Sequence, residues 1–101
     1  MIRHIVLLRA RPSVTDAQIA DIFYGLAALC ATLPGTTGFL GGRSDSPEKI
    51  ERGYLHGFTI DFADAPALHA YAVHPEHQRL ARALVAIADG PEGILVVDIP
   101  A

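Results

Sequence analysis

Between Gly53 and Phe62 the side chains alternate without a break. Tyr54, His56, Phe58, Ile60 and Phe62 fall on one side of an extended chain, and Leu55, Gly57, Thr59 and Asp61 on the other. A period of two belongs to a β-strand whose two faces meet different surroundings. The first face is apolar except for His56, so another apolar layer must cover it.

That layer is visible as helical patterns. Thr15 and Gln18 have the spacing of a capping box, in which each side chain satisfies a backbone N–H that a helix start leaves free. Ile19, Ile22, Phe23, Leu26, Cys30 and Leu33 then recur at helical spacing, and Pro34–Gly35 ends the run. Asp64 is placed to cap a second helix, with Pro66 tolerated in its first turn. This helix carries Leu68, Tyr71 and Ala72 into Pro75, which disfavours helical geometry at His74 and predicts a kink or restart there. From Glu76 the pattern resumes: His77, Leu80, Ala81, Leu84, Ile87 and Ala88 share a face as far as Gly90–Pro91.

Three further stretches read as strands. Arg3–Arg9 and Ile94–Ile99 are rich in β-branched and aliphatic residues, and Gly38–Arg43 is a shorter, glycine-weakened candidate followed by a polar connection, Ser44–Arg52. The order β–α–β–β–α–β predicts an α+β, ferredoxin-like fold, an antiparallel sheet with both helices on one face. With 101 residues, one domain spanning 1–101 is expected. The other sheet face then lacks a cover. Half the residues are apolar, and a domain this small exposes much of its surface, so a homodimer is expected to hide that face.

Charge and composition narrow the partners. The net charge is −3 and no Lys/Arg cluster is present, which argues against nucleic acid and anionic membranes. No apolar run is long enough to span a bilayer, and no signal-peptide pattern is seen, so a cytoplasmic location is expected. The single Cys30 lies in the helical apolar pattern and reads as a packed thiol.

Five histidines are many for so short a chain. His77 shares its face with Leu80, Ala81 and Leu84, and therefore points toward the sheet. Tyr71, His74 and His77 are spaced by threes and would stack along one side of an unbroken helix; the proline predicts His74 at the rim. On the sheet, His4 shares a face with Val6 and Leu8, and His56 with Phe58, which joins the pocket-facing candidates. Asp98 interrupts the last strand, where an unpaired carboxylate would be costly; a His–Asp pair would satisfy it and orient an imidazole for proton transfer. A tyrosine hydroxyl in the same cavity would serve a developing oxyanion. His74-x-x-His77 with a proline inside fits a helical zinc pair poorly, so no metal is expected. The glycine run Gly35–Gly42 precedes a strand, not a helix, and lacks the helix N-terminus of a phosphate loop.

Taken together, Arg3-His4-Ile5-Val6, Gly53-Tyr54-Leu55-His56-Gly57-Phe58, Ala70-Tyr71-Ala72-Val73-His74-Pro75-Glu76-His77 and Val96-Val97-Asp98-Ile99 resemble the stress-responsive α/β-barrel (Dabb) family over nearly the whole chain. The resemblance implies a dimeric α/β barrel with a cavity between helices and sheet in each subunit. One branch of the family resembles polyketide cyclases that perform aldol chemistry without metal or organic cofactor. Carried over from that branch, His77 is the base and Tyr71 its helper. His4, His56 and Asp98 match further polar positions, and the ligand is a small apolar or carbonyl-containing molecule. Where that branch has a tyrosine on the pocket face of the first helix, this chain has Leu26, and Tyr24 points elsewhere. Other members imply alternatives: a non-catalytic stress or ligand-binding protein, or a cofactor-less monooxygenase.

Overall fold

The computed structural model describes residues Met1–Ala101. Strand β1 (Ile2–Leu8) is followed by helix α1 (Asp16–Cys30), strands β2 (Thr36–Arg43) and β3 (His56–Phe62), helices α2 (Ala65–Val73) and α3 (Pro75–Ile87), and strand β4 (Ile94–Pro100). The four strands form one antiparallel sheet in the order β2-β3-β1-β4. This is the expected ferredoxin-like arrangement.

Both halves of the capping box close: Gln18 N–H donates to Thr15 Oγ1 at 3.2 Å, and Thr15 N–H to Gln18 Oε1 at 2.8 Å. Helix α1 buries Ile19, Phe23, Leu26, Leu29 and Cys30 against the sheet. On β3 the alternation is realised: His56, Phe58, Ile60 and Phe62 are buried, while the residues between them are half-buried. Removing such side chains from water is the main force holding the layers together, about 1.5–3 kcal/mol for each large one. Helices α1 and α3 approach closely at Gly25, where an added Cβ would lie 2.8 Å from Leu80 Cδ2.

Three details differ from the reading of the sequence. Strand β3 begins at His56 rather than Gly53, because Arg52 (φ 58°) and Gly53 (φ 88°) turn the chain just before it. Tyr54 consequently leaves the inner face, and its hydroxyl donates to the Glu92 carbonyl at 2.5 Å. Strand β2 starts earlier, at Thr36, and its register shifts between Thr37 and Leu40, around Gly38 (φ 65°). Finally, α2 buries Ala67 and Tyr71, whereas Ala72 is exposed.

The opposite face of the sheet has no helices. Register places Ile5 beside Val97, Leu7 beside Leu95 and Arg3 beside Ile99 on it. Leu7, Leu95, Val97 and Ile99 are between 39% and 50% exposed, and Leu40 on β2 is 73% exposed.

Candidate functional site

Pro75 builds the site by breaking a helix. His74 (φ −63°, ψ 132°) is extended, ending α2 and beginning α3, and its Nδ1 accepts the Glu76 N–H at 3.0 Å. In a continuous helix that N–H would bond the Ala72 carbonyl, four residues back. The freed carbonyl takes the His77 imidazole instead, with Nδ1 3.0 Å from Ala72 O. A carbonyl only accepts, so Nδ1 carries the proton and Nε2 presents a lone pair.

The His77 ring lies 4.1 Å from the Tyr71 ring, centroid to centroid. Tyr71 is 1% exposed, and its hydroxyl is buried with no hydrogen-bond partner. Burial pushes that hydroxyl's pKa upward, with the nearby Cys30 thiol adding to the effect, so it remains a donor. An orphaned buried donor is costly to keep.

The facing wall is the sheet. His4 on β1 sits directly across from Asp98 on β4, with Nδ1 2.6 Å from Asp98 Oδ1. The His4 ring also meets Phe62 and Tyr71 edge-on, at 5.8 and 5.9 Å. Helix and sheet walls enclose a cavity of about 300 Å³. Its polar side chains are His4, Tyr71 and His77; Val6, Leu26, Phe58, Leu84 and Val96 are among the apolar ones. No Lys, Arg, Asp or Glu lines it. A larger concavity, about 630 Å³, lies on the outer sheet face around Ile5, Leu7, Leu40 and Ile50. The paired imidazoles are in the smaller one.

Two candidates lie elsewhere. His56 occupies the same sheet face but the other end of β3, opposite Leu8, whereas His4 is opposite Ile60. Four residues along a strand separate these places by about 13 Å. His56 Nε2 instead lies 3.1 Å from Asp16 Oδ1, which also accepts from Arg43 Nη1 at 3.2 Å. His74 is occupied as a helix cap. Asp98 has its histidine, but the partner is His4. The sequence reading missed the Ala72 carbonyl, although Pro75 signalled it, and the Asp16–Arg43 pair around His56, which no local pattern announces. Three His, Cys, Asp or Glu side chains do not converge anywhere with metal-binding geometry.

Desolvation by burial lowers the His77 pKa below its ordinary 6.5; the Ala72 hydrogen bond opposes this, and charge on His4 and His74 reinforces it. Protonation therefore needs more acid than for a free imidazole. Because the unfolded chain binds this proton more tightly, His77's contribution to stability is present above pH 6.5 and is lost as pH falls through the folded pKa. Of the groups around this ring, His4 (from β1), Tyr71 (from α2) and His74 are titratable. An NMR titration of the His77 ring protons is expected to give a midpoint below 6.5; a midpoint above it would contradict the burial argument.

A four-stranded antiparallel sheet with helices on one face and a cavity between the layers defines a ferredoxin-like α+β protein. The chain belongs to the stress responsive A/B barrel domain (Dabb) family, whose model matches residues 2–101. Olivetolic acid cyclase from Cannabis sativa is 24% identical over 76 residues, 75% of each chain. A dimeric ferredoxin-like protein of unknown function from Jannaschia sp. CCS1 is 39% identical, with a TM-score of 0.91 over 99% of this chain and 98% of its own. The hydroxynitrile lyase of Passiflora edulis shares the fold at 20% identity, with a TM-score of 0.83 over 97% of this chain and 90% of the lyase.

Proposed function

We propose that this chain is an acid–base enzyme that enolises a small, neutral carbonyl compound. The observation that carries this reading is the His77 imidazole: its Nδ1–H is committed to Ala72 O, while Nε2 has no protein partner. A neutral imidazole half-sheltered from water is a competent base. In the step, Nε2 takes a proton from the carbon next to the carbonyl, the C–H electrons form the enolate, and its oxygen accepts a hydrogen bond from the Tyr71 hydroxyl, which must turn out of its sealed position into the cavity that Tyr71 lines. Both groups are side chains, so the step calls on no cofactor. A cavity without a cationic side chain suits a ligand with no carboxylate or phosphate of its own. The relative named olivetolic acid cyclase supports an enzymatic reading of the cavity.

The test uses 4-phenylbutan-2-one in D₂O, following loss of its α-proton signals by NMR. Enzyme-dependent exchange is expected; its absence across a series of methyl ketones of similar size would sink the reading. Tyr71→Phe separates chemistry from structure. Removing an unpartnered buried hydroxyl leaves stability equal or raised by up to about 1 kcal/mol. Exchange, in contrast, is expected to slow by about tenfold or more. A Tyr71→Phe variant that melts earlier but exchanges at full rate would assign Tyr71 to packing alone.

The same reading includes a homodimer formed through the bare sheet face. Leu7, Leu95, Val97 and Ile99 lie together there, and contiguous apolar patches of that kind mark interfaces. The Jannaschia relative is described as dimeric, which supports this arrangement.

A further inference from the structure

His74 and His77 use the same ring nitrogen in opposite ways. His74 Nδ1 accepts the Glu76 N–H at 3.0 Å and so presents a lone pair, whereas His77 Nδ1 donates to the Ala72 carbonyl, also at 3.0 Å. His74 is the N-cap of α3 and His77 the third residue of that helix. Thr15 and Gln18 hold the same two positions on α1, where the Gln18 side chain reaches back to accept the Thr15 N–H at 2.8 Å. On α3 the matching N–H, that of His74, is already taken by the Tyr71 carbonyl at 3.2 Å. The side chain at the third position therefore reaches back to a carbonyl, that of Ala72, and must be a donor to bond it.

We infer that His74 is a positioning residue for His77: by capping α3 it holds the turn that carries the imidazole against Ala72 O, which keeps the proton on Nδ1 and the lone pair on Nε2. This rests on the proposed action of His77 as a base. Three hydrogen bonds fix His74 between the two helices. Its N–H donates to Tyr71 O, its carbonyl accepts the Gln78 N–H at 3.0 Å, and its Nδ1 accepts the Glu76 N–H.

The cap also decides which donor Ala72 O receives. Pro75 has no N–H to offer, and the Glu76 N–H, which an unbroken helix would send there, is held by His74. The Glu76 carboxylate is turned toward Arg79 and does not substitute for the cap. Without a cap the first turn of a helix frays, and His77 lies in that turn. An imidazole freed from its carbonyl distributes its proton over both nitrogens, and a protonated Nε2 cannot act as a base. A neutral cap suits this place, because an aspartate beside His77 would favour the charged imidazole.

Long-range ¹H–¹⁵N correlation spectra of labelled protein read the His77 tautomer without any substrate. They are recorded at about pH 8, above the 6.5 of an ordinary imidazole. The parent is expected to carry its His77 proton on Nδ1. In His74→Ala the form protonated on Nε2 is expected to appear, and melting is expected about 4–8 °C lower. In the same variant kcat for exchange into 4-phenylbutan-2-one is expected to fall by about tenfold with little change in KM. His74→Asn, which keeps a neutral capping oxygen, should recover the tautomer, the melting temperature and most of kcat.

An unchanged His77 spectrum in His74→Ala would overturn the assignment even if that variant melts earlier, since lost stability alone is what any helix cap would give. A parent whose His77 proton sits on Nε2 would overturn it as well. So would a His74→Asn variant that regains the melting temperature but not the tautomer. No exchange in the parent would instead remove His77's role as a base, while the spectra still decide whether His74 fixes its tautomer.

Discussion

His77→Ala is expected to slow α-proton exchange into 4-phenylbutan-2-one by about 10²–10⁴-fold, the range typical of losing a positioned general base. The expectation follows from the geometry around one broken helix. Pro75 ends the backbone ladder, the Ala72 carbonyl is released, and it holds Nδ1 so that Nε2 alone is free. Of the other nearby imidazoles, His4 stands on the sheet wall with Nδ1 held by Asp98, and His74 Nδ1 caps α3. The ring is only half-buried, so its removal leaves a shallow gap at the cavity edge rather than a hole in the core. Melting temperature should therefore change little. A variant with full exchange activity, or one whose only defect is thermal stability, would remove His77 from the chemistry. His77→Gln separates shape from basicity: it retains a side chain able to donate to Ala72 O but offers no imidazole nitrogen, and it should be as slow as the alanine variant.

Val97→Asp is expected to convert the protein from a dimer to a monomer. Val97 is 50% exposed on the bare sheet face, beside Ile5 on the neighbouring strand. In a dimer that buries this face, a carboxylate there would have no partner from Ile5, Leu7 or Leu95, and the guanidinium of nearby Arg3 is already held by Asp61 at 2.8 and 3.0 Å. Burying an unpaired charge costs several kcal/mol, enough to dissociate a modest interface. Light scattering after size exclusion should then give a mass near the 10.8 kDa of one chain instead of about twice that. The cavity lies on the opposite face of the sheet, so His4, Tyr71 and His77 keep their arrangement. A parent chain that is already monomeric at micromolar concentration, or a Val97→Asp variant that remains dimeric, would show that this face is not the interface.

Much of the fold was legible because its signals are local. The capping box Thr15–Gln18, the alternation from His56 to Phe62 and the helical stripe through Leu80 and Leu84 depend on neighbours within a few residues. The places where reading failed are those where a local pattern meets a distant constraint. Tyr54 continues the alternation on paper, yet Gly53 turns the backbone and Glu92, on the far side of the chain, takes the hydroxyl. Ala72 falls on the helical stripe of α2, but the helix ends too soon after it to bury it. His56 and His4 look equivalent in sequence, two histidines on inward strand faces.

By itself, then, the sequence determined the order of elements, the layer that covers the sheet and the break at His74. Each follows from side-chain period or from the missing N–H and fixed ring of a proline. Only the tertiary structure decided which histidine Asp98 would meet. That choice rests on strand register, which pairs β1 with β4 so that His4 faces Asp98, and leaves His56 four residues along β3 beside Asp16. Register is set by the packing of all the strands together, and no stretch of sequence near Asp98 contains it.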